Sequence, residues 1–336
     1  MRPTSANGGL DLSRLFSPTT VNGVEFRNRV VMPPMVRELA DEDGCVTAEL
    51  IEEYARRAAA GTGLIIVEAT AVEEAGRCWA GGLGAYAGYQ RAGLRQLAER
   101  IKAEGAVAGI QLVHGGPQAE PAVSGQETVG PSAVAPTHDR PAPRELTLSE
   151  IERIQRRFAD AAAMVVEAGF ELVELHAAHG YLLDSFLMTR RNQRQDAYGG
   201  CLENRMRMVV ETCQRVRENI GRRALLDCRI CVFNKIAEGF GPDDLRTLVA
   251  GLQAAGLDLL HLSTEGALQG YFGSDKPLGR WVKEMTGLPL IVAGRLSNPL
   301  HAERALAQGV CDFVAVGGRM LRNPDWTREA RQVLEA

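Results

Sequence analysis

The stretch ELHAAHGYLLDSFL, residues 174–187, brings His176, His179 and Tyr181 into close succession. It continues an apolar run, FELVEL, so His176 falls at the end of a strand. Strand residues three apart face opposite sides, so a bend through Ala177 and Ala178 is needed to hold both imidazoles over one point. Two ring N–H donors aimed at one oxygen, with a phenol beside them, are the parts needed to polarise a carbonyl and protonate a neighbouring carbon. A zinc site would need a third ligand and normally an HExxH-type helix, and this neighbourhood supplies neither. His114 and His261 stand alone and read as satisfied buried polar groups. A second pattern lies near the C-terminus, where two strands end alike as VAGR (292–295) and VGGR (316–319). Taken singly, each reads equally well as a turn followed by a surface arginine. Repeated at matching strand ends, Gly294-Arg295 and Gly318-Arg319 point to a phosphate, because glycine lets backbone amides approach and arginine supplies a forked cation.

The elements that must position these residues recur with one rhythm. Short apolar runs occur at NRVVMPPM (28–35), GLIIVEAT (63–70), VAGIQLVH (107–114), FELVELH (170–176), LLDCRIC (225–231), LDLLHLS (257–263), LPLIVAG (288–294) and DFVAVGG (312–318), separated by segments of helical periodicity. About eight such units fit an α/β fold, the (β/α)₈ TIM barrel, whose active sites lie at the C-terminal strand ends and whose phosphate site follows strands seven and eight. AELIEEYARRAAAG (48–61) and DDLRTLVAGLQAAG (243–256) read as amphipathic helices closed by glycine, and Thr147 with Glu150 reads as a capping box. Two segments break the rhythm. Asn22-Gly23, within FSPTTVNGVEFRNR (16–29), predicts a β-hairpin lid on the barrel bottom. The Pro- and Gly-rich 115–146 is a long loop after the third strand, too long to be an ordinary connection. Neither looks like a boundary, so residues 1–336 read as a single domain.

The 336 residues are 45% hydrophobic with a net charge of -4, enough for a large core and no basis for binding nucleic acid or a membrane surface. The expected partner is a small-molecule substrate, and a homo-oligomer stays open. The N-terminal MRPTSANGGLDLSRLF lacks the apolar core of a signal peptide, which predicts a cytoplasmic protein. Seven scattered cysteines suit a reducing compartment, and the one close pair, Cys228 and Cys231 in CRIC, lies within an apolar segment and gives little support for a metal framework.

At this point HAAHGYLLDSFLMTRRNQRQDAYGGCLENR (176–205) resembles the signature of the Old Yellow Enzyme family of FMN-dependent NAD(P)H oxidoreductases, and NRVVMPPM, GLIIVEATAV, GIQLVHGG and the two GR turns extend the resemblance along the chain. The resemblance implies FMN held noncovalently at the barrel mouth, with NADPH or NADH as reductant. It implies that Pro34, Met35 and Ala69 lie against the flavin, that Gln111 bonds its pyrimidine edge, that Arg229 reaches its N1/O2 side, and that Gly294, Arg295, Gly318 and Arg319 cradle its phosphate. It implies that His176 and His179 grip a substrate carbonyl and that Tyr181 is the proton donor, in an ene-reductase working on activated C=C bonds by a ping-pong mechanism. Related flavin-dependent dehydrogenase or demethylase chemistry, a non-redox barrel lyase or isomerase, and a flavin-binding sensor stay open. Val36 and Glu38 depart from the family pattern and are expected to alter flavin potential and pocket. Tyr271 and Phe272 are candidates for a substrate wall or, equally, a surface aromatic pair. The chain ends soon after DWTREARQVLEA (325–336), so the extra domain of the family's larger branch is not expected.

Overall fold

A computed structural model describes residues 14–336; the reading of the N-terminus as leaderless falls largely on residues 1–13, outside the described residues. Eight parallel strands close a barrel: Val30–Met32, Leu64–Ala71, Val107–Val113, Leu172–Ala177, Leu225–Ile230, Leu260–Ser263, Leu290–Ala293 and Phe313–Ala315, each paired with the next in chain order and the last with the first. Every predicted run supplies one strand. The runs are almost unbroken in apolar character because helices cover the outside while side chains fill the inside, so both faces are buried. Thr147 caps the helix Leu148–Glu167 by accepting from the Glu150 backbone N–H while Glu150 returns to the Thr147 N–H, as the sequence predicts.

The interior is layered by the two-residue period of the strands. At the bottom, Leu64, Ile66, Val107, Leu172, Leu225, Leu259, Ile291 and Phe313 form one apolar cluster. The hairpin Thr19–Val21 and Val24–Phe26 closes it from below, its Phe26 ring standing edge-on to Phe313 at 4.9 Å. Its turn has positive φ at Asn22 (45°) and Gly23 (88°), the geometry an Asn-Gly hairpin turn demands. Asn22 Nδ2 also donates to Asp258 at 2.6 Å, tying the lid to the barrel. Burying Phe26 alone is worth about 1.5–3 kcal/mol.

Two positions further along the fourth, fifth and sixth strands, the inward residues become polar. Leu172 gives way to Glu174 and His176, Leu225 to Asp227 and Arg229, and Leu259 to His261 and Ser263. Glu174 stands opposite Gln111 on one side and Asp227 on the other, while His176 pairs with Arg229 and Arg229 with His261. The chemistry is therefore concentrated at the C-terminal strand ends, where this fold keeps its active sites. Among the described residues, no helix is long and apolar enough to cross a membrane.

Candidate active site

The fourth strand ends at Ala177, and the bend predicted through Ala177 and Ala178 is present. It is completed by positive φ at His179 (62°) and Gly180 (79°). A non-glycine residue in that region is strained, and His179 is held there by its neighbours. Its backbone N–H meets Cys231 Sγ at 3.2 Å and its Nε2 lies 2.9 Å from Ser263 Oγ. The two imidazoles come together with ring centroids 5.1 Å apart, and Tyr181 lies 4.8 Å from His176. Trp79, from the loop after the second strand, stands edge-on to Tyr181 at 5.9 Å.

Electrostatics fix the protonation states. Burial drives His176 well below its ordinary value, helped by His179 and Arg229. Burial and then Arg229 bring His179 down to about 4. Both rings are thus neutral N–H donors near neutral pH. His176 Nδ1 is buried without a partner. Burial raises the Tyr181 phenol far above its ordinary value, so it carries its proton throughout the working range.

Beneath them lies a fully buried polar network. Gln111 Nε2 donates to Glu174 Oε1 at 2.6 Å, and His261 Nδ1 lies 2.6 Å from Glu174 Oε2. Burial pushes Glu174 up to about 7 and, with the Glu174 charge, holds Asp227 well above the carboxylate range. Two carboxyls this close cannot both ionise cheaply, so they retain a proton. Ligand atoms of Glu174, Asp227 and His261 lie within 4.8 Å of one another, a metal-like spacing. Glu174 is already taken up by Gln111 and His261, which accounts for the trio as a hydrogen-bond network. His114 is the satisfied buried group expected: Nε2 meets Glu73 at 2.9 Å and Nδ1 accepts from the Gly116 N–H. His261 satisfies only one ring nitrogen, since Nε2 has no partner.

The GR turns meet as predicted. A cavity of ≈310 Å³ is lined by Met35, Arg229, Gly294, Arg295, Gly318, Arg319 and, unanticipated, Arg322. Gly294 (φ 150°) admits no side chain, since a Cβ would stand 2.2 Å from Thr264 Oγ1. Among the described residues, no carboxylate pairs with Arg295, Arg319 or Arg322, so three cations converge on this space without a counter-charge. Arg229 is buried between the cavity and the histidines, with Nη2 on Ser263 Oγ at 3.3 Å and Nε unpartnered. These features fit FMN: free guanidinium groups for a phosphate, and orphaned donors at the mouth for a polar ring and a carbonyl.

The remaining predicted residues are distributed as follows. Pro34 is buried in the turn after the first strand, but Pro33 and Met35 line the cavity and Pro34 does not. Ala69 faces Gln111 because a bulge at Glu68 shifts the register of the second strand. Glu68 is thereby turned toward Tyr54, whose hydroxyl meets its carboxylate at 3.1 Å. A second cavity, of ≈480 Å³, is lined by Trp79, His179, Tyr181, Phe233 and three arginines. Neither Val36 nor Glu38 lines either space. Tyr271 and Phe272 are not a wall of either: the Tyr271 hydroxyl accepts from the Glu265 N–H at 3.1 Å, and Phe272 packs on Trp281. Ser263, Trp79, Glu174, Asp227 and Arg322 were not anticipated. Glu174 and Asp227 were readable in principle, each standing two residues before a chosen inward-facing residue.

The model of the NADH:flavin oxidoreductase / NADH oxidase family matches residues 14–336. An NADPH dehydrogenase of Geobacillus thermodenitrificans is 36% identical over 325 residues, covering 95% of this chain and 94% of that protein. An NADH oxidase of Thermoanaerobacter brockii is also 36% identical, over 330 residues; the match covers 95% of this chain but spans only 50% of that protein's length. Among solved structures, the Old Yellow Enzyme homologue from Zymomonas mobilis superposes with a TM-score of 0.82 at 29% identity, covering 95% of this chain and 92% of that one.

Proposed function

Because the chain belongs to the NADH:flavin oxidoreductase / NADH oxidase family, we propose that it is an FMN-dependent ene-reductase that reduces the activated C=C bond of α,β-unsaturated carbonyl compounds with NAD(P)H. The observation that carries this reading is the convergence of two neutral imidazoles and a protonated phenol on one mouth, beside three unpaired arginines. Bound FMN, reduced by NAD(P)H, supplies the hydride that is delivered to the carbon β to the carbonyl.

The residues of the chain do the rest. Arg295, Arg319 and Arg322 would hold the phosphate, with Gly294 and Gly318 letting it approach the backbone. Glu174 fixes the Gln111 amide by accepting from its Nε2, leaving Oε1 uncommitted for the cofactor's polar edge. Arg229 would supply a positive charge to that edge and favour electron-rich forms of the ring. His176 and His179 donate to the substrate's carbonyl oxygen, where negative charge grows as the β carbon accepts hydride. Tyr181 then gives its phenolic proton to the α carbon, and Trp79 and His176 hold its ring in place for that step.

The test is anaerobic turnover of 2-cyclohexen-1-one with NADPH or NADH, measuring cyclohexanone formed per nicotinamide oxidised. One-to-one formation is expected. Nicotinamide oxidation that yields no saturated ketone and requires oxygen would overturn the reading.

A further inference from the structure

The substrate cavity carries a charge pattern that carbonyl binding does not use. Arg140, Arg190 and Arg191 line it together with Trp79, His179 and Tyr181, and no aspartate or glutamate is among its lining residues. Two of these arginines are neutralised from behind. Arg140 Nη2 reaches Glu120 at 3.2 Å, and Arg190 Nε reaches Glu238 at 2.9 Å. Glu238 is further occupied by the Thr189 hydroxyl at 2.7 Å and the Arg190 N–H at 3.1 Å.

Arg191 is different. Its Nη2 donates to the Pro136 carbonyl, while its Nη1 is shut off from solvent with no partner. The Asp184 carboxylate nearby is engaged by Lys235, by the Gly180 N–H at 2.7 Å and by Asn234 at 3.2 Å. Burial and the adjacent Arg190 charge work against the Arg191 cation, only partly offset by the charges of Glu238 and Asp184. Arg191 is only partly buried and lines the cavity, and a guanidinium whose one acceptor among the described residues is a neutral carbonyl would be completed by an incoming anion. A pocket built for a neutral enone would gain nothing from it.

We propose that Arg191, flanked by Arg190 and Arg140, binds an anionic group, a carboxylate or a phosphate monoester, carried by the alkene substrate away from its carbonyl. This rests on the alkene-reduction reading, because the substrate's other end is placed at His179 and Tyr181 in the same cavity. A nicotinamide nucleotide entering this cavity also carries phosphates, so the test must tell the two sources apart.

The probes are the enones CH3–CO–CH=CH–(CH2)n–CO2⁻ with tails of increasing length, each paired with its methyl ester. Reoxidation of the reduced, flavin-loaded protein is followed by stopped flow for the wild type and Arg191→Gln. The expected result, for the tail length that reaches, is a carboxylate-to-ester ratio in second-order rate of about 10–100, the worth of a charge-assisted hydrogen bond, falling to about one in Arg191→Gln. A wild-type ratio near one at every length, with the esters consumed, overturns the proposal but leaves alkene reduction standing. So does a variant that alters only the NADPH-to-NADH ratio in flavin reduction. If no enone is reduced, the alkene reading fails, and binding to the oxidised protein, followed by perturbation of its flavin spectrum, decides instead. A carboxylate preference lost in Arg191→Gln supports the anion site, and no preference overturns it.

Discussion

Replacing Tyr181 by phenylalanine isolates the proton-transfer step unusually cleanly. Its ring is held edge-on to Trp79 at 5.9 Å and 4.8 Å from His176, contacts that phenylalanine keeps. Among the described residues no protein group bonds the hydroxyl, so its removal orphans none of them, and the change in folding stability should stay within about 0.5 kcal/mol. The phenol's proton is secure, because burial and the neighbouring Cys78 raise it while only Arg140 opposes them. A positioned general acid contributes about 10²–10⁴ in rate, which corresponds to roughly 3–5 kcal/mol of barrier. The oxidative half-reaction with cyclohexenone should therefore slow by that factor in Tyr181→Phe, while reduction by NADPH changes by less than about threefold. Stopped flow at the flavin band separates the two. Equal losses in both half-reactions, or an oxidative rate within about threefold of wild type, would refute the assignment of Tyr181 as the acid.

Further outcomes follow from the cradle and the buried network. Arg319→Ala removes one of three unpaired cations and should weaken FMN binding to the apoprotein by about 10–100-fold, read by fluorescence quenching of added FMN; unchanged affinity would remove Arg319 from the phosphate site. The Glu174 and Asp227 carboxyls have native values above their unfolded ones, so their stabilising contribution is complete below the ordinary carboxyl range and is lost as pH rises toward those native values, about 7 for Glu174 and well above the ordinary range for Asp227. The lowered histidines act with the opposite sign, but that effect is over above their ordinary value of 6.5. Asp227→Asn should therefore gain thermal midpoint relative to wild type between about pH 6.5 and 8.5, and a constant difference would contradict the shared proton. Thr147→Ala should cost about 1 kcal/mol by loss of the capping box, measured by urea unfolding.

The barrel was legible because each strand is a short apolar run and each turn is punctuated by glycine, and the hairpin because Asn22-Gly23 suits a two-residue turn. The imidazoles, the phenol and the paired GR turns were legible as types and spacings. What the sequence concealed follows from the same burial that made the strands visible. When both faces of a strand are apolar, the alternation that would reveal the inward face is erased, so the bulge at Glu68 left no trace in GLIIVEAT. Glu174 and Asp227 looked like isolated polar residues until the register aligned them with Gln111. Ser263 and Trp79 came from strand ends and loops distant in sequence, and only closure of the barrel brings them to His179 and Tyr181. Tyr271 and Phe272 stayed between a substrate wall and a surface pair for a related reason, because an aromatic pair in a loop carries no sign of which way it folds.

The most direct measurement is an anaerobic spectral titration of the purified, FMN-replete protein. Absorption near ~450 nm should bleach on adding one equivalent of NADPH or NADH and return in full on adding 2-cyclohexen-1-one, with cyclohexanone as product. A protein that stays colourless after reconstitution with FMN, or one whose bleached band returns only when oxygen is admitted, would contradict the account.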